Sequence, residues 1–454
     1  MRFNSENIFG AKVGVIGAGK SGRAVSNLLL KKGADVFLSD GRYSDDLKKA
    51  CSELDTAGFS FELGIQTDRV IKNKDLLVIS PGVAIDNPYV LKAVEKGIPV
   101  TGELEAAFWF CKNKIIAVTG TNGKSTVTMM LENIYRTAGR TALGAGNLGI
   151  AFSEIVDTVD PEVYLILEVS SYQLETINKF KPNTAVILNI TPDHLHRHKT
   201  FEEYVRRKLD ISRNMNGESL IVLNQNDPVL VSSDIPGNAV KQWFSNDSTV
   251  ENGAGVMEDK LFAFKNRDAV EIIPVNEIPV PGFHNIDNAL ACTCAAINDG
   301  IEPEYIAIGI RSYSNLEHRL ELVKETGGVK YYNDSKATNI DAMIQALKTF
   351  TEPVILIAGG EDKGSDLSIA NDMIKEKVKT LILLGEAAGR MNDVWSEVFE
   401  NIVHIDSFED GVLTASKDAL PGEVVLLSPG CASFDMFNSF EERGEAFKNI
   451  VNSI

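Results

Sequence analysis

Thr119-Gly120-Thr121-Asn122-Gly123-Lys124-Ser125-Thr126 is the strongest chemical signal in the chain. An apolar run precedes it and a helical pattern follows, the setting in which a phosphate loop works. Its glycines let backbone N–H groups converge on phosphate oxygens, and the helix N-terminus adds positive potential. Lys124 is placed to meet the β- and γ-phosphates, and the Ser125 hydroxyl to meet Mg²⁺. The common form of the motif has a glycine where this chain has Val118; here the glycine is shifted to Gly120, which makes a variant loop. Glu168 closes the apolar run Tyr164–Leu167. A carboxylate at a strand's carboxyl end beside a phosphate loop is where a Mg²⁺ ligand belongs, and that reading is preferred over a solvated strand end. Asp193-His194-Leu195-His196-Arg197-His198 sets three histidines at alternate positions, which on an extended strand would suggest zinc. The run follows Thr191-Pro192, so loop geometry is expected, and one histidine near phosphate or Mg²⁺ outranks a zinc site. Lys208 stands on a charged helical stretch from Glu202 to Asp210, where local sequence describes a solvated lysine.

A second glycine-rich turn, Gly17-Ala18-Gly19-Lys20-Ser21-Gly22, matches the dinucleotide fingerprint, with Asp40 after the next strand. Alone it is compatible with NAD, with another diphosphate such as a UDP-sugar, or with a tight strand–helix turn. Lys20 and Ser21 suit a diphosphate, Asp40 suits a ribose or sugar hydroxyl, and no evident hydride-transfer site stands nearby. Asn333-Asp334-Ser335-Lys336-Ala337-Thr338-Asn339 offers another helix N-terminus with anion-binding capacity. Asp and Asn there are compatible with mere caps, but Lys336 is unusual in a cap. The turns Gly359–Gly364 and Ser428–Ser433 also sit just beyond strands. Three loops at strand carboxyl ends are what an α/β domain uses to bind a small polar ligand.

Short β-rich runs alternate with amphipathic helical patterns throughout, which predicts parallel sheets of the α/β type. Strands Lys12–Ile16, Asp35–Ser39 and Leu76–Ile79, with a helix over Ser21–Lys31, form a first block. A second begins near Glu103, with strands Lys114–Val118, Val163–Leu167 and Thr184–Leu188 and a helix from Lys124. Its turn-rich stretch 232–280 reads as a small accessory sheet ahead of a helix Ile286–Ile297. A third begins near Asn315, with strands Val329–Tyr332, Val354–Ala358, Thr380–Leu384 and Val424–Leu427. The 454 residues favour several domains, and 44% hydrophobic with 24% charged residues is the balance of a soluble globular protein. A net charge of −18 argues against sequence-independent nucleic-acid binding, although glycine loops, lysines and Mg²⁺ can reverse the field inside one cleft. The five cysteines are odd in number and scattered, so no disulfide framework is expected; Cys292 and Cys294 read as small core residues rather than metal ligands. The N-terminal segment has no apolar targeting core and no run approaches a membrane span, so a cytoplasmic protein is expected, and a monomer is compatible.

With these blocks assembled, nearly the whole chain resembles the Mur ligase family of peptidoglycan synthesis. The resemblance rests on Gly120–Thr126, on Leu167-Glu168-Val169-Ser170-Ser171-Tyr172-Gln173-Leu174-Glu175, on Asn333–Asn339 and on Leu427–Asp435. The string Asp334–Asn339 points to the D-glutamate-adding branch, because relatives adding other amino acids and folylpolyglutamate synthetases carry other residues there. The resemblance implies three domains: a Rossmann-like N-terminal domain (1–102) for the UDP-sugar, a P-loop-type central ATPase domain with a mainly parallel sheet (103–315), and a Rossmann-like C-terminal domain (316–454) for the amino acid. It implies that Lys20, Ser21, Asp40, Arg42, Ser80 and Gly82 hold the UDP end, with Asn147 facing the same substrate. Gly120, Thr121, Asn122, Gly123, Lys124, Ser125 and Thr126 are implied around the ATP phosphates, and Asn285, Asn288, Arg319 and Asp334 at the nucleotide. Ser125, Glu168 and His194 are implied for Mg²⁺, and Lys208 joins them as a lysine that has reacted with CO₂ to give a carbamate. Lys336, Thr338, Lys363, Ser433 and Phe440 are implied in the amino-acid pocket. One departure stands out: His196 occupies a position where the family usually has Asp.

The chemistry so implied is phosphoryl transfer followed by acyl transfer, with ATP, UDP-N-acetylmuramoyl-L-alanine and D-glutamate as substrates. Three other readings compete: a relative adding a different amino acid, a nicotinamide-dependent oxidoreductase built on the first glycine loop, and a nucleotide-regulated binding protein. The oxidoreductase leaves the second phosphate loop unexplained. The binding protein predicts lost catalytic groups, whereas Lys124, Glu168 and Lys336 are all present.

Overall fold

Alternating strands and helices form three sheets in the computed structural model, which describes residues 3–54, 58–147, 149–266, 268–279, 283–314, 317–361 and 364–454. The first sheet comprises β1 (Lys12–Ile16), β2 (Asp35–Asp40), β3 (Phe59–Leu63), β4 (Leu76–Ile79) and β5 (Val100–Gly102). Its order is β3-β2-β1-β4-β5, parallel throughout. Chain order reverses at β1, which opens a crevice at the carboxyl ends of β1 and β4.

The second sheet holds β6 (Ile115–Thr119), β7 (Ala142–Gly146), β8 (Tyr164–Glu168), β9 (Thr184–Ile187), β10 (Leu220–Asn224), β11 (Val240–Ser245), β12 (Gly253–Met257), β13 (Lys260–Lys265) and β14 (Asp268–Pro274). Its order is β14-β13-β12-β11-β10-β9-β6-β8-β7. The strands from β7 across to β12 run parallel, and β12, β13 and β14 are antiparallel. The stretch 232–280 is therefore not a separate accessory sheet. β11 pairs with β10 and continues the central ladder, so the hydrogen-bonding edge of β10 is covered by its own chain. β6 and β9 are fully buried apolar runs, as expected of parallel strands covered on both faces.

The third sheet contains β15 (Glu321–Thr326), β16 (Val329–Asn333), β17 (Val354–Gly359), β18 (Val378–Leu384), β19 (Ile402–His404) and β20 (Val424–Leu427). Its order is β15-β16-β20-β17-β18-β19, parallel except for the β15–β16 hairpin. Alternate residues feed two cores. Leu356, Leu381, Leu383 and Leu426 pack with Trp395 on one face; Ile355, Ile357, Ile382 and Val425 pack with Phe447 on the other.

By packing, the chain divides into two compact units, Met1–Ile190 with Lys199–Pro274 and Asn288–Arg311, and Thr191–His198 with Val275–Asp287 and Ser312–Ile454. The first carries the first two sheets and the second carries the third. The five cysteines are free, and Cys292 and Cys294 are fully buried as core residues. Among the described residues no helix is long and apolar enough to cross a membrane.

Candidate functional site

The phosphate loop leaves β6 between β9 and β8, where Val118 is the register partner of Glu168 on one side and Val186 on the other. That pairing explains why Glu168, a strand-end carboxylate some fifty residues downstream, arrives beside Ser125. The Ser125 hydroxyl donates to Glu168 Oε2 at 2.6 Å, and Asn147 Nδ2 donates to Oε1 at 2.8 Å. Glu168 is only 4% exposed, so it is no solvated strand end. Hydroxyl and carboxylate oxygens held together this way are the hard donors that Mg²⁺ takes, with Asn147 orienting the carboxylate from behind.

Asn189, just past β9, clamps the loop. Its side-chain oxygen accepts from Asn122 N at 2.8 Å, its carbonyl from Thr121 N at 2.9 Å, and its amide donates to Asn122 O at 3.2 Å. Gly123 sits at φ +87°, and a Cβ there would lie 2.5 Å from Asn288 Oδ1. The helix Lys124–Thr137 follows, burying Val127, Met130, Leu131 and Ile134 on one face. Lys124 Nζ donates to Gly120 O at 2.9 Å and Thr121 O at 2.8 Å. Thr126 is fully buried.

Lys208 corrects the expectation drawn from its neighbours in sequence, for it is 2% exposed. The helix Phe201–Leu209 turns Tyr204 and Lys208, one turn apart, inward, while Arg206 and Arg207 both pair with Glu203. Lys208 Nζ donates to Gly120 O at 2.7 Å and lies 4.8 Å from the Tyr204 ring centre. The Tyr204 and Thr121 hydroxyl oxygens are 3.0 Å apart. Local sequence gave no reason to choose Tyr204, but Asn189 was within reach, as a polar residue ending a strand next to the phosphate loop.

A cleft of about 620 Å³ opens at the crevice of the first sheet, lined by Lys20, Ser21, Asp40, Arg42, Ser80, Gly82 and Asn147. The residues named from sequence for the UDP end thus share one cavity. Gln66, Asn87 and Gln173 line it as well and were not foreseen, since each lies far in sequence from the glycine turn. Gly22 is required by close packing, because a Cβ there would lie 1.7 Å from Gly17 O. Ser80 Oγ donates to Gly17 O at 2.9 Å, tying the ends of β1 and β4 together. Asp40 accepts from Ala18 N at 2.8 Å and from Arg42 N at 2.9 Å, with the Arg42 guanidinium 3.0 Å away. Burial works against the Asp40 carboxylate, but Arg42 and the Ala18 N–H outweigh it and hold its pKa below the usual range. Lys20 Nζ donates to Gly149 O.

In the second unit, His194 takes φ +54° and leads into a short helix, Leu195–His198. The expected loop is thus partly helical, and His194, His196 and His198 do not gather into a ligand set among the described residues. His194 Nε2 lies 3.5 Å from Asp193 Oδ2. Asn285 is fully buried and its amide meets His284 Nε2 at 3.0 Å. Burial, helped by the Arg319 cation, pushes His284 down to about 4, so its neutral ring is free to accept.

The carboxyl ends of β16, β20 and β17 are neighbours, which brings together the loops singled out from sequence. Asp334 accepts from Leu320 N at 3.1 Å and from Ser428 Oγ at 2.9 Å. Burial raises it to about 7 against the opposing pull of Arg319. Gly430 N donates to Ala337 O at 2.9 Å, joining the loop of Lys336 and Thr338 to that of Ser433. Lys336 Nζ stands 5.3 Å over the Phe440 ring, and Ser433 is buried. Asn339 is a helix cap, accepting from Ala342 N at 2.8 Å, so the cap reading holds for that residue. Lys363 lies outside the described residues.

Three family models match in order along the chain. The MurD-like N-terminal domain of Mur ligases matches residues 11–102, the Mur ligase middle domain 118–296, and the Mur ligase glutamate ligase domain 318–431. A UDP-N-acetylmuramoylalanine–D-glutamate ligase of Pelotomaculum thermopropionicum is 44% identical over 444 residues, covering 98% of each chain. Its namesake in Koribacter versatilis is 40% identical over 450 residues, covering 99% of this chain and 98% of its own. Among solved structures, the UDP-N-acetylmuramate-alanine ligase MurC of Thermotoga maritima superposes with a TM-score of 0.63 at 18% identity, over 98% of this chain and 99% of that one. The MurF ligase of the same organism, solved in complex with ADP, gives 0.60 at 16%, over 99% and 97%; both structures speak to the fold alone. Matched in order by these models and by relatives of the same length, the chain belongs to the Mur ligase family.

Proposed function

We propose that this chain joins D-glutamate to UDP-N-acetylmuramoyl-L-alanine, using ATP and Mg²⁺, in the cytoplasmic synthesis of peptidoglycan precursors. The observation that carries the reading is the cluster of Lys124 with the buried Ser125, Glu168 and Lys208 around the Gly120 loop, in a chain whose full-length relatives bear the name of that ligase. The alanyl carboxylate attacks the γ-phosphorus of ATP, ADP departs, and an acyl phosphate forms. The amine of D-glutamate then attacks the acyl carbon, loses a proton, and phosphate leaves from the tetrahedral intermediate. Positioning and charge neutralisation carry such a reaction more than covalent protein chemistry does.

Lys124 and the loop N–H groups receive the phosphates, and Ser125 with Glu168 supplies oxygen ligands to Mg²⁺, which when bound neutralises phosphate charge. Residues 1–102, 103–315 and 316–454 serve the UDP-sugar, ATP and the amino acid respectively. Lys20, Ser21, Arg42 and Ser80 face the UDP end in the cleft of the first sheet. Lys336, Thr338, Ser433 and Phe440, with Lys363, serve D-glutamate. Lys208 works as a carbamate: its amine adds to the carbon of CO₂, a C=O electron pair moves to oxygen, and the amine proton passes to solvent.

Phosphate release is expected to require ATP, Mg²⁺, the UDP-sugar and D-glutamate together. A coupled phosphate assay over a panel of amino acids tests this, and equal turnover with L-lysine or L-alanine would overturn the D-glutamate assignment while leaving the family intact.

A further inference from the structure

Four oxygens from two different strand-end loops point at one buried guanidinium. Arg443 lies in the first turns of the helix Phe440–Ser453 and is fully buried. Its Nε donates to Ser335 Oγ at 3.0 Å and its Nη2 to Ser335 O at 2.9 Å. Nη2 also donates to Cys431 O at 3.1 Å, and Nη1 to Ala432 O at 3.2 Å. A third loop closes on the same point, for Glu361 N donates to Ala432 O at 2.9 Å and a Cβ on Gly360 would come within 3.2 Å of Nη1. Ser335 Oγ donates in turn to Phe440 O at 2.8 Å, so the start of the helix is tied into the same knot.

A buried arginine is ordinarily paired with a carboxylate, because desolvating an unpaired charge is costly. Among the described residues no carboxylate lies within ion-pair distance of Arg443; its partners are carbonyl and hydroxyl oxygens. Burial pushes its pKa down only to about 10, so it stays a cation at neutral pH. The rigid fork of a guanidinium can hold three backbone carbonyls and a hydroxyl at fixed angles, which the single ammonium of a lysine cannot.

We infer that Arg443 is the positioning residue of the amino-acid pocket: it sets the loops after β16 and β20 against the first turn of the helix at Phe440, and places a fixed positive charge behind them. This inference rests on the proposed function, since Lys336, Ser433 and Phe440 are the immediate neighbours of the groups it holds. The two carboxylates of D-glutamate would be drawn to that charge, whereas the UDP-sugar cleft lies on the first sheet. Loss of the fork therefore acts on one substrate selectively.

The test compares wild type, Arg443→Lys and Ser335→Ala in the full-length enzyme, by steady-state kinetics for each substrate with thermal unfolding alongside. Ser335→Ala removes only the hydroxyl that links Arg443 to Phe440, so it remains informative where Arg443→Lys fails to fold. The KM for D-glutamate is expected to rise at least about 10-fold in Arg443→Lys and about 3-fold in Ser335→Ala, as loss of charge-assisted hydrogen bonds predicts. The KM for the UDP-sugar stays within about 2-fold, because its cleft on the first sheet contains none of these residues. An unchanged KM for D-glutamate in Ser335→Ala, or an equal rise in the KM for the UDP-sugar, overturns the inference. Failure of wild type to turn over D-glutamate defeats the underlying function instead, so the two failures are distinguishable.

Discussion

Lys124 and Lys208 both donate to the Gly120 carbonyl oxygen, at 2.9 and 2.7 Å. Two ammonium groups meeting on one oxygen repel each other in a buried setting, and conversion of one to an anionic carbamate relieves that repulsion. A carbamate there would also supply oxygen donors of the kind Mg²⁺ takes. Lys208→Ala is accordingly expected to lower kcat by on the order of 100-fold, the scale of one electrostatic contact to a transition state. ATP binding, carried by Lys124 and the loop amides, is retained, and a small carboxylic acid in the buffer partly restores turnover. Steady-state rates with and without added acid check this, beside ATP titrations of the variant. Full activity of wild type in CO₂-depleted buffer, with an unmodified Lys208 by mass spectrometry, would falsify the carbamate.

The element that most constrains the nucleotide site is the turn from β6 into the helix Lys124–Thr137. Gly123 adopts φ +87° there, and a methyl group would sit 2.5 Å from Asn288 Oδ1, so that side chain would have to move. An L-residue in the left-handed region costs roughly 1–2 kcal/mol, and the clash with Asn288 adds to it. Gly123→Ala therefore tilts the helix N-terminus and its N–H groups away from the phosphates. The Kd for ATP by isothermal titration is expected to rise by about 10-fold, the scale of one lost charge-assisted hydrogen bond to phosphate. Binding of the UDP-sugar, at the first sheet, stays as in wild type. Unaltered ATP affinity would show that the loop tolerates the methyl group and that Gly123 serves packing alone.

At the scale of the molecule, two glycine turns stand on two different sheets, and they do not mean the same thing. The first turn leads into a cleft bearing Lys20, Ser21 and Arg42, cationic and hydroxyl groups suited to a diphosphate. Asp40, which in a dinucleotide enzyme would hold a ribose, spends hydrogen bonds on Ala18 and Arg42. Titration of the protein with UDP-N-acetylmuramoyl-L-alanine is expected to give saturable binding, and titration with NADH none. Tight NADH binding with no response to the UDP-sugar reverses the assignment of this cleft. The acidic chain, at −18, relies on these local loops to attract anionic substrates, since its overall charge repels them.

Sequence alone determined the strand runs, the phosphate loop and the three strand-end loops of the third sheet, because glycine spacing and apolar periodicity are local properties that survive in a single string. The pairing of Ser125 with Glu168 was legible for the same reason: Glu168 ends β8 and Ser125 opens the helix after the phosphate loop, and only their adjacency needed the sheet. Lys208 was a different case. Phe201, Tyr204, Val205 and Leu209 mark an apolar stripe on its helix and position 208 falls on it, but a lysine there reads as solvated until the loop it packs against is in place. The stretch 232–280 was misread as a separate sheet because strand registry across an edge depends on which ladder has an open side. Arg443 carries no local signal at all. A lone arginine in a helix of mixed charge reads as solvated, and it becomes a buried anchor only when β16, β17 and β20 bring their loops to one point. Local chemistry is written in the order of residues, whereas burial is a property of what the rest of the chain leaves uncovered.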